Sequence, residues 1–293
     1  MSHSTLHHLA LQEKTRREIL HKSDLIPPLP DLVTRLLGIL NKKDTEPAHL
    51  ESLLQNDQVL VAKMLAMVNS PFYGLNRTIR TIKDAVMVLG FRGVRSLVLA
   101  SSTAKFLQRD FACYGHQPKG LWLHAVSVAA GSRALARACH LGADESEMLF
   151  VAGLLHDIGK LLLVTYASEA AAGATITGPM CEFERARVGL DHTEAGALVT
   201  AKWNLAPEIQ ELIKAHHEGT HDTLANMIAV VRLADAVAHE RGTGYQPGRA
   251  PTAVVLPSDL QVLGLTAETW SALRDQLAVV MDESVLALGN LSA

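Results

Sequence analysis

The sequence is short of cysteine, carries no excess of positive charge, shows no strand-like alternation and has no long uninterrupted apolar run. Each shortage removes a class of protein. The three cysteines, Cys113, Cys139 and Cys181, stand far apart, odd in number and outside any CxxC pairing, which excludes a disulfide framework and a zinc ribbon. Free thiols fit a reducing compartment. Lysine plus arginine number 27 against 30 acidic residues, a formal charge of -3, so no global cationic field exists to hold a polyanion. Nucleic acid is therefore not expected as the main partner, and the cluster Arg77, Arg80, Arg92 and Arg95 is read as a solvated face. No stretch approaches the roughly 18 uninterrupted apolar residues of a membrane span, and Met1–His8 lacks a cationic start followed by an apolar core. The chain reads as cytoplasmic, with no membrane partner.

What is present is apolar and helical. Apolar residues make up 48% of 293, enough to fill one large or two modest domains. Pro27, Pro28 and Pro30 forbid a helix, and Asp31 can cap the one that follows, burying Leu32, Leu36, Leu37 and Leu40. Pro47 suits a first helical turn, Asp57 a further cap, and Asn69-Ser70-Pro71 a stop. Thr81 to Asp84 resembles a capping box and Gly90 a C-cap. The class is all-α. Residues 1–22 form an N-terminal helix, 23–112 a lobe of about five short helices, 113–245 a second helical lobe, and 246–293 closing helices packed on that lobe.

One count stands out: fourteen histidines. Nine of them, His3, His7, His8, His21, His49, His116, His140, His221 and His239, are expected at the surface. The other five sit on or at the ends of apolar helices: His124, His156, His192, His216 and His217. The run Leu149–Val164 is apolar except for His156, Asp157 and Lys160 at its middle, and a carboxylate buried there needs a cation or matched hydrogen bonds. Asp235, within Val230–Val237, is a second carboxylate of this kind.

Singly, each is more simply a hydrogen-bonded core residue. Together, five imidazoles and two carboxylates supply enough ligands for two cations, and mixed nitrogen and oxygen donors favour iron, manganese, zinc or nickel over magnesium or calcium. Neighbours on a helix diverge by about 100°. His156 with Asp157, and His216 with His217, must therefore lie at helix ends or serve two metals.

His156-Asp157 within Leu-Leu-His-Asp-Ile-Gly-Lys, with an upstream His124 and a late Asp235, resembles the HD superfamily of metal-dependent phosphohydrolases. His192, His216 and His217 resemble the additional ligands of its two-metal branch, typified by HD-GYP cyclic-di-GMP phosphodiesterases. That resemblance implies one metal held by His124, His156, Asp157 and Asp235, with Asp157 bridging to a second held by His192, His216 and His217. Lys160 would face a phosphate or other anion as the catalytic cation. The glycine-tyrosine-proline of that branch is missing after His217; Gly244-Tyr245-Gln246-Pro247 comes too late and is read as a chance loop.

In the N-terminal half, Leu25-Ile26-Pro27-Pro28-Leu29-Pro30, Gln55-Asn56-Asp57, Asn69-Ser70-Pro71-Phe72-Tyr73-Gly74 and Ile82–Gly90 resemble the HDOD family, over about Leu25 to Glu218. HDOD proteins are bacterial signalling modules, many without the metal ligands and thought not to be enzymes. This chain keeps every ligand position. The resemblance therefore implies a regulatory signal-transduction protein with a one- or two-metal site, iron or manganese ahead of zinc or nickel, and a protein or nucleotide-signalling partner. A metal-dependent phosphohydrolase is the alternative, and a diiron sensor or oxygenase-like site the third reading. An adaptor with hydrogen-bonded core histidines is the metal-free one.

Overall fold

The structure is a computed structural model that describes residues 13–19, 26–40, 46–54, 57–70, 73, 75, 77–171, 179–217 and 223–288. Within these residues the chain is all-α, with a lone bridge between His116 and Tyr245 as its extended pairing. The first lobe holds α1 (Asp31–Leu40), α2 (Pro47–Leu54), α3 (Gln58–Val68) and α4 (Ile82–Leu107). Local chemistry sets their limits. Asp57 caps α3 through Leu60 N at 2.8 Å, and Thr81 caps α4 through Asp84 N at 3.0 Å. At Gly90 the backbone turns to φ 70° and ψ 173°, so α4 is two helices joined at a kink that a side chain would strain. The lobe thus has its five helical segments. In α1 the face is rotated slightly from expectation: Val33 is buried with Leu36, Leu37 and Leu40, while Leu32 is half-buried.

The Asn69 side chain closes the loop after α3. Its amide donates to Leu65 O and Ile79 O and accepts from Ile79 N, all within 2.8 Å. Tyr73 in that loop meets the second lobe, where the Arg133 guanidinium lies 4.4 Å above its ring and 4.6 Å from that of Phe150. Leu25, Gln55, Asn56, Pro71, Phe72, Gly74 and Glu218, part of the stretch that suggested the family, lie outside the described residues.

The second lobe contains α5 (Gly120–Ala138), α6 (Ala143–Leu155), α7 (Lys160–Ala171), α8 (Met180–Val188), α9 (His192–Lys202), α10 (Pro207–Ala215), α11 (Ala225–Glu240), α12 (Pro257–Val262) and α13 (Ala267–Leu288). Helix α5 is its axis, packed against α6, α11 and α13. Trp122 on α5 donates to Leu288 O at the end of α13, 3.2 Å away. Gly131 on α5 faces Met281 on α13 and Ala234 on α11.

One apolar cluster crosses both lobes, from Ile26, Leu36 and Met64 through Leu97 and Trp122 to Phe150, Leu154 and Ile213. Trp203 fastens the proline-rich entry to it by donating to Pro27 O at 3.0 Å. A second cluster of Val128, Leu149, Leu212, Val231 and Met281 fills the space between α5, α6, α10, α11 and α13. The helical residues 13–19 bring Ile19 against Leu163, Val188, Leu190 and Ala195. Two helical stretches, Ile82–Leu107 and Ala143–Ser168, are apolar and long enough to cross a bilayer, but 61% and 78% of their apolar windows are buried in the fold. Their apolarity is used in the core.

Arg133 also donates to Glu147 at 2.7 Å and is 2% exposed. Its removal strands a carboxylate and two aromatic faces. Arg133→Ala should lower the unfolding free energy by about 3 to 5 kcal/mol, read as a fall in the urea midpoint at unchanged slope.

Candidate metal centre

The pair His156-Asp157 escapes helical divergence because the helix stops. Helix α6 ends at Leu155, α7 starts at Lys160, and residues 156–159 form the turn between them. That turn presses on the start of α9: a Cβ on Gly159 would run into His192 O and Gly196 N, so only glycine allows the approach. His192 is the first residue of α9, after an Asp191 cap that accepts from Thr193 N and Glu194 N. His216 and His217 follow the last residue of α10. His124 comes from the second turn of α5 and Asp235 from the second half of α11, and the two helices pack side by side.

The structure brings all eight predicted site residues together. His124 Nε2 lies 3.0 Å from Asp235 Oδ1 and 3.8 Å from Asp157 Oδ2, and His156 Nε2 lies 3.4 Å from Asp157 Oδ2 and 3.7 Å from Asp235 Oδ1. The other oxygen, Asp157 Oδ1, faces His192 Nε2 at 3.3 Å. The His216 ring centre lies 5.0 Å from that of His156, 5.4 Å from His192 and 4.1 Å from His217. Asp157 therefore stands between two groups of imidazoles, one oxygen to each. Six of the seven candidate ligands are buried, and His217 is the more open one.

Hydrogen bonds fix which nitrogen each ring presents. His156 Nδ1 donates to Gly153 O at 2.7 Å and His216 Nδ1 to Ile213 O at 2.6 Å. A carbonyl can only accept, so each Nε2 is left bare. His192 Nδ1 donates to Glu184 Oε2 at 2.6 Å, and the same oxygen accepts the His192 backbone N–H at 2.8 Å. Among the described residues, the inward atoms His124 Nε2, His156 Nε2, His192 Nε2, His216 Nε2, Asp157 Oδ1 and Asp235 Oδ1 are buried with no hydrogen-bond partner. A hydrogen-bonded core would not leave six bare acceptors and donors facing one another. This donor set fits cations.

The charge states agree at His216, His217, Asp157 and Asp235, whereas at His156 the Asp157 carboxylate favours the protonated ring. Burial holds His216 well below the usual histidine value, helped by His217, and lowers His217 to about 3, helped by His192. Their lone pairs are free. For Asp157, burial alone would raise the pKa, but the Lys160 ammonium and His156 outweigh it and keep the carboxyl well below its usual range. Burial is likewise overcome at Asp235 by His239 and His124. At His156 burial lowers and the Asp157 carboxylate raises, with a net rise. Lys160, expected to face an anion, is buried with its ammonium donating to Asp157 Oδ2 at 2.6 Å and lies over the Tyr114 ring at 5.3 Å.

Two histidines expected at the surface are not there. His116 is 1% exposed, and its ring stacks on Tyr245 at 4.2 Å. His239 stacks on His124 at 5.0 Å, with its Nε2 3.5 Å from Asp235 Oδ1 and 3.2 Å from Tyr245 OH. Nor is Gly244-Tyr245 a chance loop. Gly244 O accepts from Gln117 N and backs onto Gly120, where neither glycine leaves space for a Cβ, and Tyr245 is buried beside the site. His49 and His140 are exposed as expected; His3, His7, His8, His21 and His221 lie outside the described residues. Sequence reasoning also passed over Glu184. The spacing of His239, four residues after Asp235 and so on the same helix face, was a signal for it; nothing local marks Glu184.

The family model for the HDOD domain matches residues 26–219. The chain belongs to the HDOD family. Among solved structures, this HDOD protein is similar to an HDOD domain protein of unknown function from Geobacter sulfurreducens, at 26% identity and a TM-score of 0.75 over 97% of this chain and 99% of that one. It is also similar to a candidate phosphohydrolase from Shewanella amazonensis SB2B, at 25% identity and a TM-score of 0.70 over 94% and 98%. An uncharacterised protein of Treponema pallidum (strain Nichols) is 26% identical over 223 residues, 73% of this chain but 42% of its own length. The chain thus spans less than half of that curated relative.

Burial sets a pH dependence for the protein freed of metal. His116 and His239 are lowered by burial to about 2 and 4, and His216 is lowered too. The unfolded chain takes up these protons near about pH 6.5. Their contribution is complete above that value and is lost as pH falls toward the folded values, by up to about 1.4 kcal/mol per pH unit for each. His156, raised, opposes with one proton against three. Chelator-treated protein should show a urea midpoint that falls from pH 7 to pH 5; a flat or rising midpoint would contradict neutral buried imidazoles.

Proposed function

We propose that the chain is a regulatory HDOD protein whose second lobe holds two divalent transition-metal ions, with iron or manganese first and zinc or nickel as further candidates. The observation that carries this is the set of six buried, bare donor atoms around Asp157. His124, His156, Asp157 and Asp235 would hold one ion, and His192, His216 and His217, with the second oxygen of Asp157, the other. Bound ions would neutralise the carboxylates and supply Lewis-acid polarisation of a phosphoryl oxygen. The surrounding residues position this set. Glu184 orients His192, His239 braces Asp235 and is itself held by the Tyr245 hydroxyl, and Lys160 balances the charge of Asp157.

Burial of the ligands supports a sensing or structural role. Ions enclosed by six buried side chains couple to the packing of α5, α6, α9, α10 and α11, and a change there could be read by a protein or nucleotide-signalling partner at the lobe surfaces. A second reading, hydrolysis of a phosphoester, is favoured by the completeness of the ligand set and by the likeness to the Shewanella phosphohydrolase candidate.

Elemental analysis of the protein as isolated, and after reconstitution, tests the first claim. About two equivalents of transition metal are expected, and a His156→Ala Asp157→Ala variant should lose both. Trace metal that does not rise on reconstitution would sink it. Turnover of bis-p-nitrophenyl phosphate and of cyclic dinucleotides with manganese or iron separates the readings. Equal background rates for both proteins leave the regulatory reading, while turnover confined to the native sequence establishes the hydrolase. Glu184→Gln should weaken metal affinity by about 10- to 100-fold, measured by competition with a chromophoric chelator, while leaving helical circular dichroism unchanged.

A further inference from the structure

Cys181 lies in the first turn of α8 and is 3% exposed. It precedes Glu184 by three residues and so shares its helix face. Glu184 occupies His192 Nδ1, which makes Nε2 the ring nitrogen that His192 can offer, and that buried atom has no hydrogen-bond partner. Cys181, His192 and His217 present ligand atoms that all lie within 4.8 Å of one another. These come from three separate elements: α8, the start of α9 and the turn after α10. On the same ring, His192 Nε2 faces Asp157 Oδ1 at 3.3 Å, so the sulfur and the carboxylate both lie against one imidazole.

We propose that Cys181 is a thiolate ligand of the second cation, adding sulfur to a donor set otherwise made of imidazole and carboxylate. This rests on the second ion of the reading above. Binding replaces the S–H bond by a metal–sulfur bond and releases the proton to solvent, with no change of oxidation state. Sulfur gives the two sites different tastes. The His124, His156, Asp157 and Asp235 site has only nitrogen and oxygen donors, whereas the site containing Cys181 selects a softer ion, zinc or ferrous iron, over manganese or magnesium. Cys113 and Cys139 are half-buried, and neither belongs to a group of candidate ligands among the described residues. They serve as controls.

The test is cobalt substitution of the full chain after chelation. The expected spectrum has visible ligand-field bands together with a near-ultraviolet sulfur-to-cobalt charge-transfer band. That band should persist in Cys113→Ala and Cys139→Ala and be lost in both Cys181→Ala and Cys181→Ser, which keep the ligand-field bands of the first site. X-ray absorption of the zinc-loaded native sequence should show a sulfur scatterer at about 2.3 Å, a measurement that needs no variant to fold. Ligand-field bands without the charge-transfer band, or a band that survives loss of Cys181, overturns the thiolate and leaves the two-cation reading standing. Failure to bind cobalt at all overturns both.

Discussion

The centre of this protein depends on one unfavourable act, the burial of the Asp157 carboxylate among leucines. An isolated carboxylate in such a place would cost several kcal/mol even after relaxation. The fold answers it from every side. Lys160 reaches it from the next helical turn, His156 from the preceding residue, and His192 from a helix that approaches only because Gly159 has no side chain. These contacts balance charge without closing the hydrogen-bond account: Asp157 Oδ1 and the imidazole nitrogens around it stay bare. A metal-free network of the kind a buried His-Asp pair can form would have aligned them. Those bare atoms are what supports the metal reading over the metal-free one.

How the ligands are delivered follows from the same constraint. Adjacent ligands cannot converge from within a regular helix, and the chain avoids this by ending helices at the site. Leu155, Asp191 and Ala215 mark three such ends. Helix ends also leave backbone carbonyls without intrahelical partners. Gly153 O and Ile213 O use that freedom to accept the Nδ1 protons of His156 and His216. Stopping the helix thus places the ring and selects its tautomer at once.

The all-α class, most helix limits and the eight residues that the fold brings together were legible because each has a local cause. Prolines, caps and glycines announce the ends, and ionisable residues inside apolar runs announce the site. What was hidden depends on pairs distant in sequence. Tyr245 comes to His124 through the close approach of Gly120 and Gly244, more than a hundred residues apart. Glu184 looks like Glu182 until α8 is laid beside α9. The surface assignment of His116 failed for a related reason: its neighbours Gly115, Gln117 and Pro118 mark a loop, but that loop is folded under the one carrying Tyr245.

The family match stops at residue 219, yet the centre does not. Asp235 on α11 supplies a carboxylate, His239 sits one turn further on, and Tyr245 follows in the next loop. Helix α11 is also held against α5 by the cluster that α13 completes with Leu277 and Met281. The segment beyond the matched region is thus not an appendage. It fixes the helix that carries one of the two buried carboxylates, so the two halves of the donor set are joined through the packing of α5. Any shift of α11 relative to α5 must change the 3.0 Å approach of Asp235 to His124.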